Sequence, residues 1–107
     1  MIGPVTNAAG NGQRLWKPDA SPAEWLAIGE TLHAQPTHLL MPVYRCDFFC
    51  IAIRRDVWHQ LGGLDTAFGL GYYEDFDFSL RLRKAGWEQK ITEDVFVLHA
   101  GSASFQA

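Results

Sequence analysis

Only two cysteines occur among the 107 residues, Cys46 and Cys50, and that scarcity excludes a small fold stapled by disulfides. Were residues 45–53 one extended strand, the two thiols would share a face about 13 Å apart, too far to bridge. Two cysteines also fall short of a structural zinc site without histidine partners. They read as reduced thiols, at least one of them a small core residue. An excess of one charge is lacking too. Lys and Arg number 9 against 12 Asp and Glu, a net charge of −3, with no block of like charges, so nothing favours nucleic acid or an anionic membrane. No apolar run reaches the ~18 residues of a membrane-spanning helix, and the start lacks the basic and apolar regions of a signal peptide. The expectation is a cytoplasmic chain, any attachment to the inner face of a membrane being left to segments outside it. Internal repeats and low-complexity tracts are absent as well.

What is present is an ordinary globular composition, 48% apolar and 20% charged. A chain of this length suits one domain and can bury roughly 60–70% of its unfolded surface. The opening "MIGPVTNAAGNGQRLWKPDASP" is rich in turn formers and reads as irregular, with a turn at Asn11-Gly12 and room for a short buried strand over residues 2–6. A helix begins after Ser21, where Pro22 suits the first position and Glu24 completes a capping box. Trp25, Ile28, Gly29 and Leu32 form its apolar face, and Pro36 ends it. Residues 39–44, broken by Pro42, can be no more than an edge or bulged strand. "FFCIAI", residues 48–53, is the strongest strand candidate, apolar on both faces as a central strand would be. A short helix follows over residues 55–61, closed by Gly62-Gly63. A longer one spans residues 74–85, with Phe76/Leu80 and Phe78/Leu82 as i, i+4 pairs. Residues 87–92 and 94–99 read as two short strands ahead of a Gly- and Ser-rich tail. This mixture of strands and helices indicates a layered α/β domain with a mixed sheet and flanking helices.

The densest polar feature is "GYYEDFDFSLR", which sets Glu74, Asp75 and Asp77 at the start of a helix. Acidic residues there answer the unpaired N–H groups and the positive end of the helix dipole, which is reason enough for them in many proteins. A loop-to-helix junction can also aim a carboxylate into a cleft as a general base. Neighbours on a helix point about 100° apart, so Glu74 and Asp75 would hold separate roles. Asp65 reads as a loop-fixing residue. Arg54-Arg55 reads as a solvated strand end. His33, His38 and His59 have no partners at ligand spacing and read as surface residues. The tryptophans Trp16, Trp25, Trp58 and Trp87 read as packing aromatics before sugar-stacking ones.

In order and spacing, Arg54-Arg55, Gly62-Gly63-Leu64-Asp65, Phe68, Glu74-Asp75, Asp77, Arg81, Arg83, Gly86-Trp87 and His99 together resemble the second half of family 2 glycosyltransferases. The resemblance covers about residues 48–105, and "IGPVTN" extends it weakly to Ile2. It implies a partial GT-A-like fold and a single partial domain over 1–107. Residues 1–44 would form an N-terminal irregular segment and helix, and 45–107 the half that carries the acceptor side and the catalytic base. The nucleotide-binding strands and the metal-binding Asp-x-Asp would lie outside the chain. The "DFD" of residues 75–77 has that spelling but opens a helix, and Thr66 stands where the family commonly has Glu.

By the same resemblance, Asp75 is the base that deprotonates an acceptor hydroxyl, and Glu74 holds the acceptor or positions Asp75. Arg81 or Arg83 faces the donor pyrophosphate, and His99 touches that group or serves as a metal ligand together with the outlying Asp-x-Asp. Implied partners are a nucleotide-sugar donor and a saccharide or lipid-linked acceptor, in polysaccharide biosynthesis, with no nucleic acid. A divalent cation, Mn or Mg, is implied for the whole enzyme and none for this chain alone. The chain by itself would be inactive and would form a homo-oligomer. Two other readings compete: a non-catalytic saccharide- or protein-binding assembly module, and a metal hydrolase using Glu74, Asp77 and His99.

Overall fold

A computed structural model describes residues 1–17, 19–69 and 73–100. The Gly- and Ser-rich tail and the middle of the Gly69–Tyr73 loop fall outside them. The described chain is α/β, with a small mixed sheet and three α-helices. The order is β1 (Ile2–Thr6), α1 (Pro22–Ala34), β2 (Leu40–Pro42), α2 (Arg55–Leu61), a 3₁₀ turn (Thr66–Phe68), α3 (Glu74–Lys84) and β3 (Lys90–Val97). The sheet order is β1-β3-β2, β3 running parallel to β1 and antiparallel to β2.

The helices start and stop where local chemistry dictates. Ser21 Oγ accepts the Glu24 N–H at 3.2 Å, with Pro22 at the first position of α1. Helix α2 ends on Gly62 and Gly63, both left-handed at φ 79° and 72°, a conformation glycine adopts without penalty. Asp65 does fix its loop, accepting the Ala67 N–H at 2.9 Å. β2 is an exposed edge, as its Pro42 requires.

Two packing centres result. In the first, α1 lies on β3, where Trp25 stacks on Phe96 with centroids 5.8 Å apart and planes 10° from parallel. In the second, Val57 of α2 meets Phe78 and Leu82 of α3, and Phe48, Ile53, Trp58 and Trp87 close around them. Trp25, Trp58 and Trp87 are thus packing aromatics, whereas Trp16 is exposed beneath the Arg14 guanidinium.

Two expected elements differ. Residues 48–53 form no strand, and their single ladder contact is a bridge between Ala52 and Ile2. The apolar side chains are spent individually: Phe48 and Ile53 go to the α2/α3 cluster and Phe49 goes to His99. Cys46 and Cys50 therefore do not share a strand face; Cys46 is buried, Cys50 exposed, and both are free. Residues 87–92 and 94–99 are not two strands but contribute to one, β3. It is interrupted only in its pairing with β1, which jumps from Pro4↔Thr92 to Val5↔Phe96. The skipped residues form a bulge that presents Asp94 to the chain entering β2. Its carboxylate accepts from Thr37 N (2.7 Å), Thr37 Oγ1 (3.1 Å) and His38 N (2.8 Å). Of the two helical pairs expected in α3, Phe78/Leu82 is core, while Phe76 and Leu80 are exposed.

Candidate functional site

The acidic cluster occupies the first turn of α3. Tyr73 precedes it in the left-handed conformation, φ 70°, and offers no side-chain cap. Asp75 accepts the Phe76 N–H at 2.7 Å, so a carboxylate of the first turn answers one of the free amides. Glu74 Oε2 is buried and has no hydrogen-bond partner among the described residues. Phe76, exposed on the same turn, lies under the Arg45 guanidinium at 5.8 Å. Arg45 in turn pairs with Asp47 at 3.3 Å, whose other oxygen accepts the Gly10 N–H at 2.7 Å.

Arg81 is engaged internally. Nε donates to Asp77 at 3.0 Å, Nη1 to the Leu61 carbonyl at 2.6 Å and Nη2 to the Gly63 carbonyl at 2.8 Å. The guanidinium fork thus ties the end of α2 to α3, and phosphate would have to displace these bonds to reach it. Arg83 is exposed, its guanidinium 4.5 Å from the Tyr44 ring centroid. Both line an open cleft of about 430 Å³ with Trp87 and Lys90. Arg54 and Arg55 are solvated as expected; Arg54 pairs with Asp56 at 2.6 Å and holds that carboxyl below its usual range.

His99 lies elsewhere. With Asn7, Ala8, Pro22 and Trp25 it lines a second cleft of about 480 Å³, which shares no lining residue with the first. Its ring stacks on Phe49 at 5.1 Å, and its Nδ1 is 2.8 Å from the Ala8 carbonyl. Among the described residues no three His, Cys, Asp or Glu side chains gather as a metal site, so Glu74, Asp77 and His99 do not form the donor set of a hydrolase. His99 is the one His, Cys, Asp or Glu among the described residues lining its cleft, so a cation there would need ligands that these residues do not supply.

Sequence reasoning passed over the polar residues that hold these parts together. Gln13, fully buried, donates to Pro4 O at 3.0 Å and accepts from Asp47 N at 2.7 Å. Gln89 donates to Tyr44 O and Ser79 O, both at 3.1 Å, and accepts from Cys46 N at 3.2 Å. Burial in this region pushes the Cys46 thiol up to about 11, so it stays a protonated, unreactive core group.

No protein-family model matches the chain, and no solved structure matches it. A stretch of 50 residues, 47% of the chain, is 40% identical to N-acetylglucosaminyl-diphospho-decaprenol L-rhamnosyltransferase of Mycobacterium tuberculosis, strain CDC 1551 / Oshkosh. Strain ATCC 25618 / H37Rv gives the same identity over the same length. The match spans 16% of those relatives' length. No described helix is long and apolar enough to cross a membrane.

Proposed function

We propose that this chain is the acceptor-side, catalytic-base part of an inverting glycosyltransferase that moves a sugar from a nucleotide-sugar to a hydroxyl. The observation that carries the reading is the 40% identity over 50 residues to a rhamnosyltransferase. The carboxylate pair opening α3 is consistent with it. Asp75 takes the proton of the acceptor hydroxyl as that oxygen bonds to the anomeric carbon. The bond from that carbon to the diphosphate breaks on the opposite side, and its electron pair leaves with the nucleoside diphosphate. Glu74 orients the acceptor. His99 serves the donor diphosphate, whereas Arg83 lines the other cleft and Arg81 would join only by exchanging its internal bonds. A divalent cation would neutralise charge on the leaving diphosphate.

The test is Asp75→Asn in a chain that also carries the nucleotide-binding half. Transfer should fall by about 10²–10⁴ with donor affinity nearly unchanged, and retained turnover removes Asp75 from the role. A second reading, a non-catalytic assembly module, draws on Leu39, Leu40 and Met41, exposed along the β2 edge. It requires the longer chain to show no transfer at all, with or without Asp75.

A further inference from the structure

His99 is bound to the end of β1 by a contact that no backbone ladder supplies. Asn7 Oδ1 accepts the His99 N–H at 2.7 Å, and Asn7 Nδ2 donates to the His99 carbonyl at 2.9 Å. A carboxamide offers an acceptor and a donor side by side, as a peptide group does. The Asn7 side chain thereby continues the β1–β3 pairing, which otherwise ends at Thr6↔Val97. Once the backbone of His99 is fixed in this way, its ring meets two neighbours. Phe49 stacks on it at 5.1 Å with planes 19° apart. The Ala8 carbonyl stands 2.8 Å from Nδ1. A carbonyl oxygen can only accept a hydrogen bond, so the proton of the neutral ring sits on Nδ1 and the lone pair on Nε2. This is the reverse of the tautomer favoured in free histidine. Turning the ring over would replace Nδ1–H by a carbon against Ala8 O and lose the bond.

We infer that Asn7 is a positioning residue: its carboxamide holds His99 so that the Ala8 carbonyl sets the Nδ1–H tautomer and leaves Nε2 as an electron-pair donor. An imidazole set in this way suits a metal ion, whereas a neutral Nε2 bearing a lone pair repels a phosphate oxygen. Resting on the transferase reading, the inference divides the two roles considered for His99. With Nδ1–H turned to Ala8 O, Nε2 meets a cation through its lone pair, and meets a diphosphate oxygen only when it carries a proton of its own.

The experiment is a nitrogen-15 spectrum of the imidazole rings at about pH 8, where an ordinary histidine is neutral. The wild-type chain should show a protonated Nδ1 and an unprotonated Nε2 at His99. His33, His38 and His59, all exposed, supply the reference signals in the same spectrum. Asn7→Ala should release the ring, so that the Nε2–H form grows at His99 while the other three rings stay unchanged. Should that variant fail to fold, Asn7→Asp keeps the shape and the acceptor for the His99 N–H but loses the donor to its carbonyl, and a partial shift is expected. An Nε2–H ring in the wild type overturns the inference, as does an unchanged Nδ1–H population in the folded Asn7→Ala chain, or in Asn7→Asp where that variant stands in. The spectrum needs no sugar nucleotide, so its result stands even if the longer enzyme transfers nothing; conversely, an active transferase with an Nε2–H His99 would reject this inference alone.

Discussion

Gln13 and Gln89 accept hydrogen bonds from consecutive backbone amides, those of Asp47 and Cys46, at 2.7 and 3.2 Å. No strand ladder serves this segment, and two buried carboxamides from opposite ends of the chain take its place. Gln13→Met should leave Pro4 O and Asp47 N without partners and lower stability by about 1–3 kcal/mol. Gln89→Met should cost a similar amount, stranding Cys46 N and Tyr44 O, while Ser79 O keeps its place in the helical ladder of α3. Both variants loosen the same segment, so the double variant should cost less than the sum. Urea midpoints for the four chains decide it, and strict additivity would show that the two amides act separately.

The same pair shows why much of this fold was readable in the sequence and part was not. Ser21, Pro22 and Glu24 announce α1, and Gly62-Gly63 closes α2, because caps and terminators act over three or four residues. The apolar run 48–53 misled because a continuous hydrophobic stretch carries no period. Its side chains divide between the α2/α3 cluster and His99, which only the tertiary arrangement reveals. Likewise Asn7, Gln13 and Gln89 look like loop residues until partners 92, 34 and 43 positions away are seen. At the candidate site, the helix bearing Glu74 and Asp75 was legible from its acidic start and basic end. The internal engagement of Arg81 was not, since Leu61 and Gly63 accept through carbonyls that any sequence possesses.

Gly29 lets α1 approach β3. A methyl added there would lie 2.8 Å from Phe96 Cδ1 and 3.1 Å from its Cβ. Alanine would gain about 1 kcal/mol of helix propensity, but overpacking of this kind costs about 1–3 kcal/mol. Gly29→Ala should therefore be neutral to destabilising by up to about 2 kcal/mol, the difference of those two. It should also disturb the stacking of Trp25 on Phe96, read as a change in tryptophan fluorescence. A clear rise in thermal midpoint with unchanged fluorescence would show that the helix yields freely.

Arg81 joins α2 to α3 through a planar fork that lysine cannot reproduce. Arg81→Met should remove the donors from the Leu61 and Gly63 carbonyls and cost about 1–3 kcal/mol. Arg81→Lys should recover little of this, because one ammonium cannot serve both carbonyls and Asp77 in the same geometry. Denaturation midpoints provide the comparison. Full rescue by lysine would mean that the ion pair with Asp77, and not the fork, carries the contact.

The bulge in β3 makes β2 sensitive to acid. Asp94 accepts two backbone amides and the Thr37 hydroxyl, and the Thr37 N–H foremost holds its carboxyl below the ordinary range. A group whose value is depressed on folding stabilises the fold above its unfolded value, about 4 for Asp. That contribution fades as pH falls through the depressed folded value. Amide exchange at Thr37 and His38, corrected for the intrinsic effect of pH, should thus be slow at neutral pH and quicken below about pH 4. The strand they lead into, Leu40–Pro42, should loosen with them. Asp94→Asn keeps one acceptor oxygen but cannot be protonated in this range, so its protection should be weaker at neutral pH and flat through the acid range. Protection at Thr37 that falls equally with acid in both chains would place the sensitive carboxylate somewhere other than the bulge.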